Sequence, residues 1–181
     1  MKVTSLKIPE VKLIEPDLFK DERGSFFESF NQKKFNELVQ GDINFVQDNQ
    51  SKSTEGVLRG LHCQRDPYAQ AKLVRVLTGE IFDVAVDLRK TSKTFGHWLG
   101  QALSEENKKQ LWIPEGFAHG FLVISDEAVV SYKVTNYYNR DSEIAINYND
   151  EEIGIDWPNT KTKQLSKKDS LGLSLSEFRD L

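Results

Sequence analysis

Apolar and polar residues alternate along much of the chain, a pattern that predicts many short β-strands. In residues 80–88, Val84 and Val86 fall on one face and Asp83 and Asp87 fall on the other. This is typical of a half-buried strand, with one side in a core and the other in solvent. Runs rich in branched and aromatic residues predict further strands at residues 73–77, 109–113, 121–124, 128–134 and 143–148.

Helical patterns are confined to a few short segments. We expect a helix at residues 32–39 and a short turn near 104–107. A C-terminal helical piece is expected to begin at Ser166, a helix-capping residue type that is followed by the acid Asp169. Many short strands with few helices predict an all-β protein, built as a double-sheet barrel or jelly roll.

Composition and charge narrow the possible partners. The 181 residues fit one domain spanning residues 1–181. A formal net charge of −4 argues against a general attraction to nucleic acid or to an anionic membrane surface. The first residues lack the apolar core of a signal peptide, and no stretch approaches the ~20 apolar residues that span a bilayer. Cys63 is the only cysteine, which excludes an intrachain disulfide. We therefore expect a cytoplasmic protein with no membrane partner.

Two strand-like stretches each contain a lone histidine among apolar neighbours. His62 lies in residues 57–64, close to Arg59, and His119 lies in residues 111–121. Lys72 follows the first stretch, at the start of another apolar strand. A titratable base close to permanent cations suits an anionic substrate that undergoes proton transfer.

These stretches belong to a set of six sequence blocks that resembles the dTDP-4-dehydrorhamnose 3,5-epimerase family. The blocks occur in the family's order and extend over nearly the whole chain: residues 21–28, 47–49, 59–62, 79–89, 114–121 and 154–158. The resemblance implies a cupin-type jelly-roll barrel that works without a cofactor. It also implies a homodimer in which the N-terminal strands are exchanged between subunits. The implied reaction inverts C3 and C5 of dTDP-4-keto-6-deoxy-D-glucose to give dTDP-4-keto-L-rhamnose, in dTDP-L-rhamnose biosynthesis.

The resemblance also implies roles for four catalytic residues. His62 matches the general base, and Asp169 matches the acid that pairs with it. Lys72 matches the cation that faces the C4 oxygen of the enolate, and Tyr132 matches the proton donor on the opposite face of the sugar ring. Each residue also has an ordinary structural interpretation. From sequence alone, Asp169 is better explained as an exposed acid in a helical first turn, and the default role of Tyr132 is that of a core aromatic residue.

Substrate-binding positions are implied in the same way. They comprise two arginines, whose planar forks suit phosphate oxygens, a histidine, and several polar residues: Arg23, Arg59, His119, Glu28, Gln47, Asn49, Glu143 and Lys168. Three positions depart from the usual family pattern, namely Cys63, Asp48 and Lys168. These departures affect base or sugar preference more than the type of reaction. Cys63 is better explained as a packed side chain than as a nucleophile.

One geometric conflict arises within the first histidine stretch. Strict alternation places Arg59 and His62 on opposite faces of a strand, although the expected site uses both. Gly60 lies between them and is a natural bulge residue. We therefore predict a local irregularity at Gly60.

Three alternative functions remain at this point. A metal-dependent cupin oxygenase would need a His-x-His pair, which His62-Cys63-Gln64 does not supply, and His97 lies in a loop-like setting. We expect no metal site. A non-catalytic sugar-nucleotide binding module would lose the acid and base, whereas this chain keeps His62, Tyr132 and Asp169. An epimerase that acts at only one carbon of another dTDP-4-keto-6-deoxysugar would use the same residues.

Overall fold

The computed structural model describes residues 1–160 and 163–181, and these form two large antiparallel sheets with few helices. The strands and helices in chain order are β1 (Lys2–Ser5), β2 (Lys12–Glu15), β3 (Phe19–Asp21), β4 (Gly24–Phe26), α1 (Gln32–Val39), β5 (Gln47–Thr54), β6 (Leu58–Gln64), β7 (Lys72–Thr78), β8 (Glu80–Asp87), β9 (Trp98–Ser104), β10 (Gln110–Ile113), β11 (Phe117–Val123), β12 (Glu127–Val134), β13 (Glu143–Ala145) and α2 (Leu175–Asp180). Neither α1 nor α2 has the length and apolar character needed to cross a membrane, and no other helix of these residues does.

The two large sheets face each other and enclose the main core. The six-stranded sheet has the order β1-β2-β10-β7-β12-β5, and the five-stranded sheet has the order β13-β6-β11-β8-β9. Val74 and Val130 of the first sheet and Ala85 and Phe121 of the second belong to one buried cluster between the sheets. Strands β3 and β4 form a separate hairpin. The all-β, double-sheet prediction is confirmed.

The five-stranded sheet is buried on both of its faces. Val84 and Val86 pack in a cluster on its outer face, which the C-terminal segment covers with Trp157 and Leu175. The strand predicted at 80–88 is present as β8, but the prediction that it is half-buried is wrong. The opposite face of β8, which carries Asp83 and Asp87, is also fully buried, because it faces the second sheet and not solvent.

The six-stranded sheet is covered on its outer face by α1. Phe35 of this helix packs in a cluster with Leu73 and Trp112 of the sheet. The helix predicted at 32–39 has the bounds Gln32–Val39, and Asn31 caps it by accepting a hydrogen bond from the backbone N–H of Lys34. The turn expected near 104–107 is also present.

The C-terminal helix does not begin where the sequence predicts. Ser166 does act as a capping residue, because its hydroxyl accepts a hydrogen bond from the backbone N–H of Asp169 at 3.1 Å. Only a single 3₁₀ turn follows, at Asp169–Leu171, and α2 begins at Leu175 after the cap residue Ser174. The helix cannot continue because the chain becomes extended at Gly172 and Leu173 then pairs with Ile146.

Most of the predicted strands form with shifted ends. Those expected at 73–77, 109–113 and 128–134 are β7, β10 and β12, each within one residue at either end. The strand expected at 121–124 begins four residues earlier, at Phe117, and the strand expected at 143–148 ends at Ala145. Alternation did not predict β1, β2, β5 or β9. Strand β5 is composed almost entirely of polar residues and therefore has no apolar periodicity.

The irregularity predicted at Gly60 is confirmed. His62 pairs with His119 and Arg59 pairs with Phe121, so two residues of β6 lie opposite the single residue Gly120 of β11. This is a β-bulge. Gly60 has a φ of 112°, and a Cβ atom there would lie 2.6 Å from the His119 carbonyl oxygen. Glycine fits this position because it tolerates both the conformation and the close approach.

Candidate active site

A cavity of about 470 Å³ opens between the two sheets and collects most of the predicted site residues. Its lining includes Arg59, His62, Lys72, His119 and Tyr132. The start of the 3₁₀ turn closes one side of the cavity with Lys168 and Asp169. A smaller cavity of about 140 Å³ also contacts His62, Lys72 and Tyr132, and adds Gln47, Asn49, Tyr138 and Glu143. The bulge at Gly60 allows Arg59 and His62 to reach the same space.

His62 and Asp169 form a close pair at the edge of the cavity. His62 Nε2 lies 2.6 Å from Asp169 Oδ1, and the backbone N–H of Gly60 lies 3.5 Å from Asp169 Oδ2. Burial raises the pKa of Asp169, but the hydrogen bond with His62 and the other donors outweigh it, so the net pKa lies below its ordinary value. Asp169 is therefore a buried carboxylate and not an exposed helix-end acid.

Lys72 is a buried lysine at the start of β7. Only 8% of the residue is exposed, and Nζ donates to the His62 carbonyl oxygen at 3.4 Å. Burial lowers the pKa of Lys72, while the charges of Asp83 and Glu143 oppose this change. The ammonium group is thus held within the cavity, beside the backbone of the candidate base.

Tyr132 lies on the six-stranded sheet, across the cavity from His62. It pairs with Asn49 of β5 and Val74 of β7, and its ring centroid is 6.5 Å from that of His119. Burial raises the pKa of Tyr132, and the charge of Arg59 partly offsets the effect. A phenol that keeps its proton and faces a cavity can donate that proton to a bound molecule.

His119 belongs to a second histidine–carboxylate pair. Its Nε2 lies 2.7 Å from Asp83 Oδ1, and the exposed fractions of the two side chains are 6% and 0%. Burial lowers the pKa of His119, and the neighbouring Lys72 and His62 act in the same direction, whereas Asp83 opposes them. Asp83 is a site residue that the sequence analysis missed, because the alternating pattern placed it on a solvated face.

The guanidinium group of Arg59 is oriented by a hydrogen bond to a hydroxyl group on the facing sheet. Its Nε donates to Ser53 Oγ at 3.0 Å. Within the described part of the chain, its two terminal nitrogens make no hydrogen bond, so they are available to an anion in the cavity. Ser53 was not predicted as a site residue, since it lies in the polar strand β5 that alternation did not reveal.

Glu143, which lines the smaller cavity, contacts two other side chains. Lys168 Nζ forms a salt bridge with Glu143 Oε2, and Tyr138 Oη donates to the same oxygen at 2.7 Å. Burial raises the pKa of Glu143, but Lys168 and Tyr138 outweigh it and the net pKa lies below its ordinary value. Tyr138 was not predicted as a site residue, and no motif in its neighbourhood indicated it.

Gln47 and Asn49 are two hydrogen-bonded polar residues of β5 that line the smaller cavity. Gln47 Nε2 donates to Asn49 Oδ1 at 2.8 Å, and Gln47 Oε1 accepts from the backbone N–H of Tyr138 at 3.2 Å. Asp48 between them points to the other face of the sheet, where it pairs with Lys133 at 2.9 Å. The unusual residue Asp48 therefore contributes no side chain to the cavity.

Two of the predicted binding residues lie away from the cavity. Arg23 is at the tip of the β3–β4 hairpin, with 90% of its side chain exposed, and it pairs with Asp21 at 2.5 Å. Glu28 pairs with Lys34 at 2.8 Å. Within this chain, neither side chain lines the space that contains His62.

Metal ligands are not grouped in the described residues. Among them, no three or more histidine, cysteine, aspartate and glutamate side chains are arranged to hold a metal ion. His97 is exposed and lies in a turn before β9.

Comparison with known proteins assigns the chain to a family. The fold and the site define a cupin-type β-barrel enzyme with two histidine–carboxylate pairs between its sheets. A family model described as dTDP-4-dehydrorhamnose 3,5-epimerase matches residues 5–177, and the chain belongs to this family.

Individual relatives agree with the family match. The dTDP-4-dehydrorhamnose 3,5-epimerase of Shigella flexneri is 59% identical over 172 residues, which cover 95% of this chain and 94% of that protein. The enzyme of the same name from Escherichia coli (strain K12) is 54% identical over 178 residues, 98% of this chain and 96% of that protein. A similar solved structure is the crystal structure of dTDP-6-deoxy-D-glucose-3,5-epimerase from Legionella pneumophila Philadelphia 1, in complex with dTDP-4-keto-L-rhamnose. It superposes on this chain with a TM-score of 0.94, and the two sequences are 52% identical. The match covers 97% of this chain and 93% of that chain.

Proposed function

We propose that this protein inverts C3 and C5 of dTDP-4-keto-6-deoxy-D-glucose to give dTDP-4-keto-L-rhamnose, by proton transfer without a cofactor. The observation that carries the proposal is the His62–Asp169 pair, which shares one cavity with Lys72 and Tyr132. The Legionella relative, which binds dTDP-4-keto-L-rhamnose, supports the substrate class. The reaction belongs to dTDP-L-rhamnose biosynthesis. A cytoplasmic location and a single domain over residues 1–181 remain predictions.

His62 acts as the general base. Its Nε2 is held by Asp169, so Nδ1 is the nitrogen that takes a proton from the carbon beside the C4 ketone. The buried Asp169 carboxylate then stabilises the imidazolium that forms and keeps the ring in one orientation. Solvent removes this proton before the next inversion.

Lys72 stabilises the enolate. When the C–H bond breaks, its electron pair moves toward the C4 oxygen, and a nearby cation lowers the energy of the developing negative charge. The Lys72 ammonium is buried and lies 3.4 Å from the His62 carbonyl oxygen, so it is confined close to the base. Charge stabilisation is more effective here than in water because the surroundings are poorly solvated.

Tyr132 returns a proton from the opposite face. One base cannot reach both faces of a ring carbon, and Tyr132 approaches the cavity from the sheet that faces the His62 sheet. Protonation of the enolate carbon by the phenol inverts the configuration and leaves a phenolate, which regains its proton from solvent. The charge of Arg59 favours that phenolate.

Nucleotide binding uses the polar residues around this centre. The terminal guanidinium nitrogens of Arg59, which make no hydrogen bond to the described residues, suit the diphosphate. Gln47, Asn49 and Glu143 line the adjoining cavity and supply further polar contacts to the substrate. Lys168, which forms a salt bridge with Glu143, lines the larger cavity. His119 completes the binding set.

A homodimer with exchanged N-terminal strands would bring the remaining two binding residues into place. The β3–β4 hairpin carries Arg23 and leaves Phe19 64% exposed and Phe26 71% exposed. Such exposed aromatic residues on a small hairpin are typical of a surface that packs on a partner. In the dimer, the hairpin of one protomer and the residues that follow it reach the cavity of the other protomer. The hairpin supplies Arg23, and the following residues supply Glu28.

Mixing two inactive variants tests this arrangement. Arg23→Ala and His62→Ala should each lose most activity as separate homodimers. After joint refolding, random pairing in a two-fold dimer should restore about a quarter of the parent activity, since one of the two sites in each mixed dimer is intact. No recovery, or a monomer in sedimentation, would contradict strand exchange.

The configuration of the reaction product at C3 and C5 tests the main proposal. NMR of the product formed from dTDP-4-keto-6-deoxy-D-glucose, with and without a 4-ketoreductase, should show inversion at both C3 and C5. Inversion at one carbon would favour a single-site epimerase. No inversion, with dTDP binding retained, would favour a sugar-nucleotide binding module.

A further inference from the structure

We propose that Asp83 is a positioning residue that fixes His119 in the tautomer with its proton on Nε2. His119 Nδ1 is then a hydrogen-bond acceptor, and it recognises a hydroxyl group of the bound sugar rather than a phosphate oxygen. This inference rests on the proposed function, because it assigns a part of the sugar nucleotide to one side chain of the same site.

Asp83 is placed as a buried acceptor. It lies in the middle of β8, none of its side chain is exposed, and it faces the space between the sheets. Its Oδ1 contacts His119 Nε2 at 2.7 Å, and its Oδ2 has no hydrogen-bond partner in the described part of the chain. An ionised carboxylate only accepts hydrogen bonds. The proton in this contact therefore belongs to Nε2 of the imidazole.

A second proton on His119 is disfavoured by its surroundings. Burial lowers the pKa of His119, and the charges of Lys72 on β7 and His62 on β6 lower it further, against the opposing effect of Asp83. The imidazole is accordingly neutral near pH 7, with its proton on Nε2 and a lone pair on Nδ1.

Nδ1 is free to meet a ligand. The His119 ring lines the larger cavity, and Nδ1 makes no hydrogen bond within the described residues. The Nδ1 lone pair repels an ionised phosphate oxygen, which has no proton to donate. The same lone pair readily accepts a hydrogen bond from an O–H group. The sugar carries such groups, whereas the diphosphate does not. Arg59 and His119 thus bind different parts of the substrate: the guanidinium group binds the phosphates, and the imidazole binds the sugar.

The tautomer can be measured directly in the unliganded protein. The chain contains only three histidines, His62, His97 and His119, so ¹⁵N-imidazole NMR gives few signals, and single replacements of His62 and His97 assign the remaining one. At pH 7 we expect a neutral His119 with its proton on Nε2. In Asp83→Leu, which is similar in size and has no acceptor, the signals should move toward a mixture of tautomers. Asp83→Asn retains an acceptor oxygen and should keep most of the parent signal.

Asp87→Asn is the matched control for these variants. Asp87 is also fully buried, on the same strand and the same face, but its partners are Arg89, Ser92 and Thr94, outside the cavity. Its replacement should leave the His119 signals unchanged. A parent His119 that is an imidazolium, or that carries its proton on Nδ1, would overturn the proposal whether or not the Asp83 variants fold.

Calorimetry with dTDP and dTDP-glucose tests which part of the ligand His119 meets. His119→Phe, which removes the acceptor itself, should weaken dTDP-glucose binding by about threefold to tenfold, the usual effect of one hydrogen bond, and should leave dTDP binding within about twofold. An equal loss for both ligands would place His119 on the nucleotide and overturn the assignment. Neither readout requires turnover, so a failure of this proposal is distinguishable from a failure of the epimerase assignment.

Discussion

His62 and His119 lie directly opposite each other on the antiparallel strands β6 and β11, and each imidazole is held through Nε2 by a different carboxylate. Asp169 reaches His62 from a position 107 residues further along the chain. Asp83 reaches His119 from β8, the next strand of the sheet. The side chain of His62 is 28% exposed and that of His119 is 6% exposed. The two histidines therefore differ in their access to solvent, which suits one to proton exchange and the other to binding.

Replacement of His62 should abolish most of the activity. His62→Ala removes the base, and general base catalysis commonly contributes on the order of 10²-fold or more to a rate. The affinity for dTDP, measured by calorimetry, should be retained. His97→Ala is the control, because His97 is exposed and lies outside the cavity. Near-normal turnover of His62→Ala would show that His62 has a structural role.

Tyr132→Phe should separate proton removal from inversion. Phenylalanine keeps the ring packing between β5 and β7 but lacks the hydroxyl that delivers a proton. The ratio of solvent exchange to product formation should therefore rise relative to the parent enzyme. Inverted product at an unchanged rate, from a folded variant that binds dTDP, would exclude Tyr132 as the acid.

Asp87 should stabilise the fold in a pH-dependent way. Burial raises its pKa, but hydrogen bonds from Arg89, Ser92 and Thr94 outweigh burial and lower the pKa from 3.8 to about 2. The folded state thus favours the ionised form. The resulting contribution of Asp87 to the free energy of unfolding is fully present above about pH 4 and is lost as the pH falls toward 2.

Urea unfolding of Asp87→Asn measures this contribution. Near neutral pH the variant should be less stable than the parent by about 2 kcal/mol, the free energy that corresponds to the change in pKa. The difference should shrink as the pH falls from about 4 to about 2. A difference that stays constant over this range would mean that the charge of Asp87 is not the cause.

Cys63 should be inert toward thiol reagents in the folded protein. Burial raises its pKa to about 11, although the charge of Lys72 opposes the rise. Only the thiolate reacts, and very little thiolate exists near pH 8. Alkylation by iodoacetamide should be slow in buffer and fast in urea. Cys63→Ala should keep the parent turnover, and a large loss would show that Cys63 takes part in the reaction.

Local patterns predicted those parts of the fold that depend on neighbouring residues. The helix at 32–39 and the bulge at Gly60 followed from periodicity and from the conflict between Arg59 and His62. The burial of Asp83 could not be read from alternation, because an aspartate on a strand face looks solvated unless its partner is known. That partner, His119, is 36 residues away in the sequence.

Long-range pairing also limited what could be predicted of the C-terminal segment. Ser166 does cap a turn, as its residue type suggested. The helix fails to extend because Leu173 pairs with Ile146, and no local sequence signal shows that contact. The same segment brings Asp169 to His62, a pairing that the family resemblance implied and that spacing alone could not.

Exchange of substrate protons with solvent tests the central claim most directly. The parent enzyme and dTDP-4-keto-6-deoxy-D-glucose are incubated in heavy water, and deuterium at each ring carbon is followed by NMR. His62 as base and Tyr132 as acid predict deuterium at both C3 and C5, without added metal or cofactor, and exchange slowed on the order of 10²-fold or more in the His62→Ala variant. Deuterium at neither carbon in the parent enzyme would contradict the account.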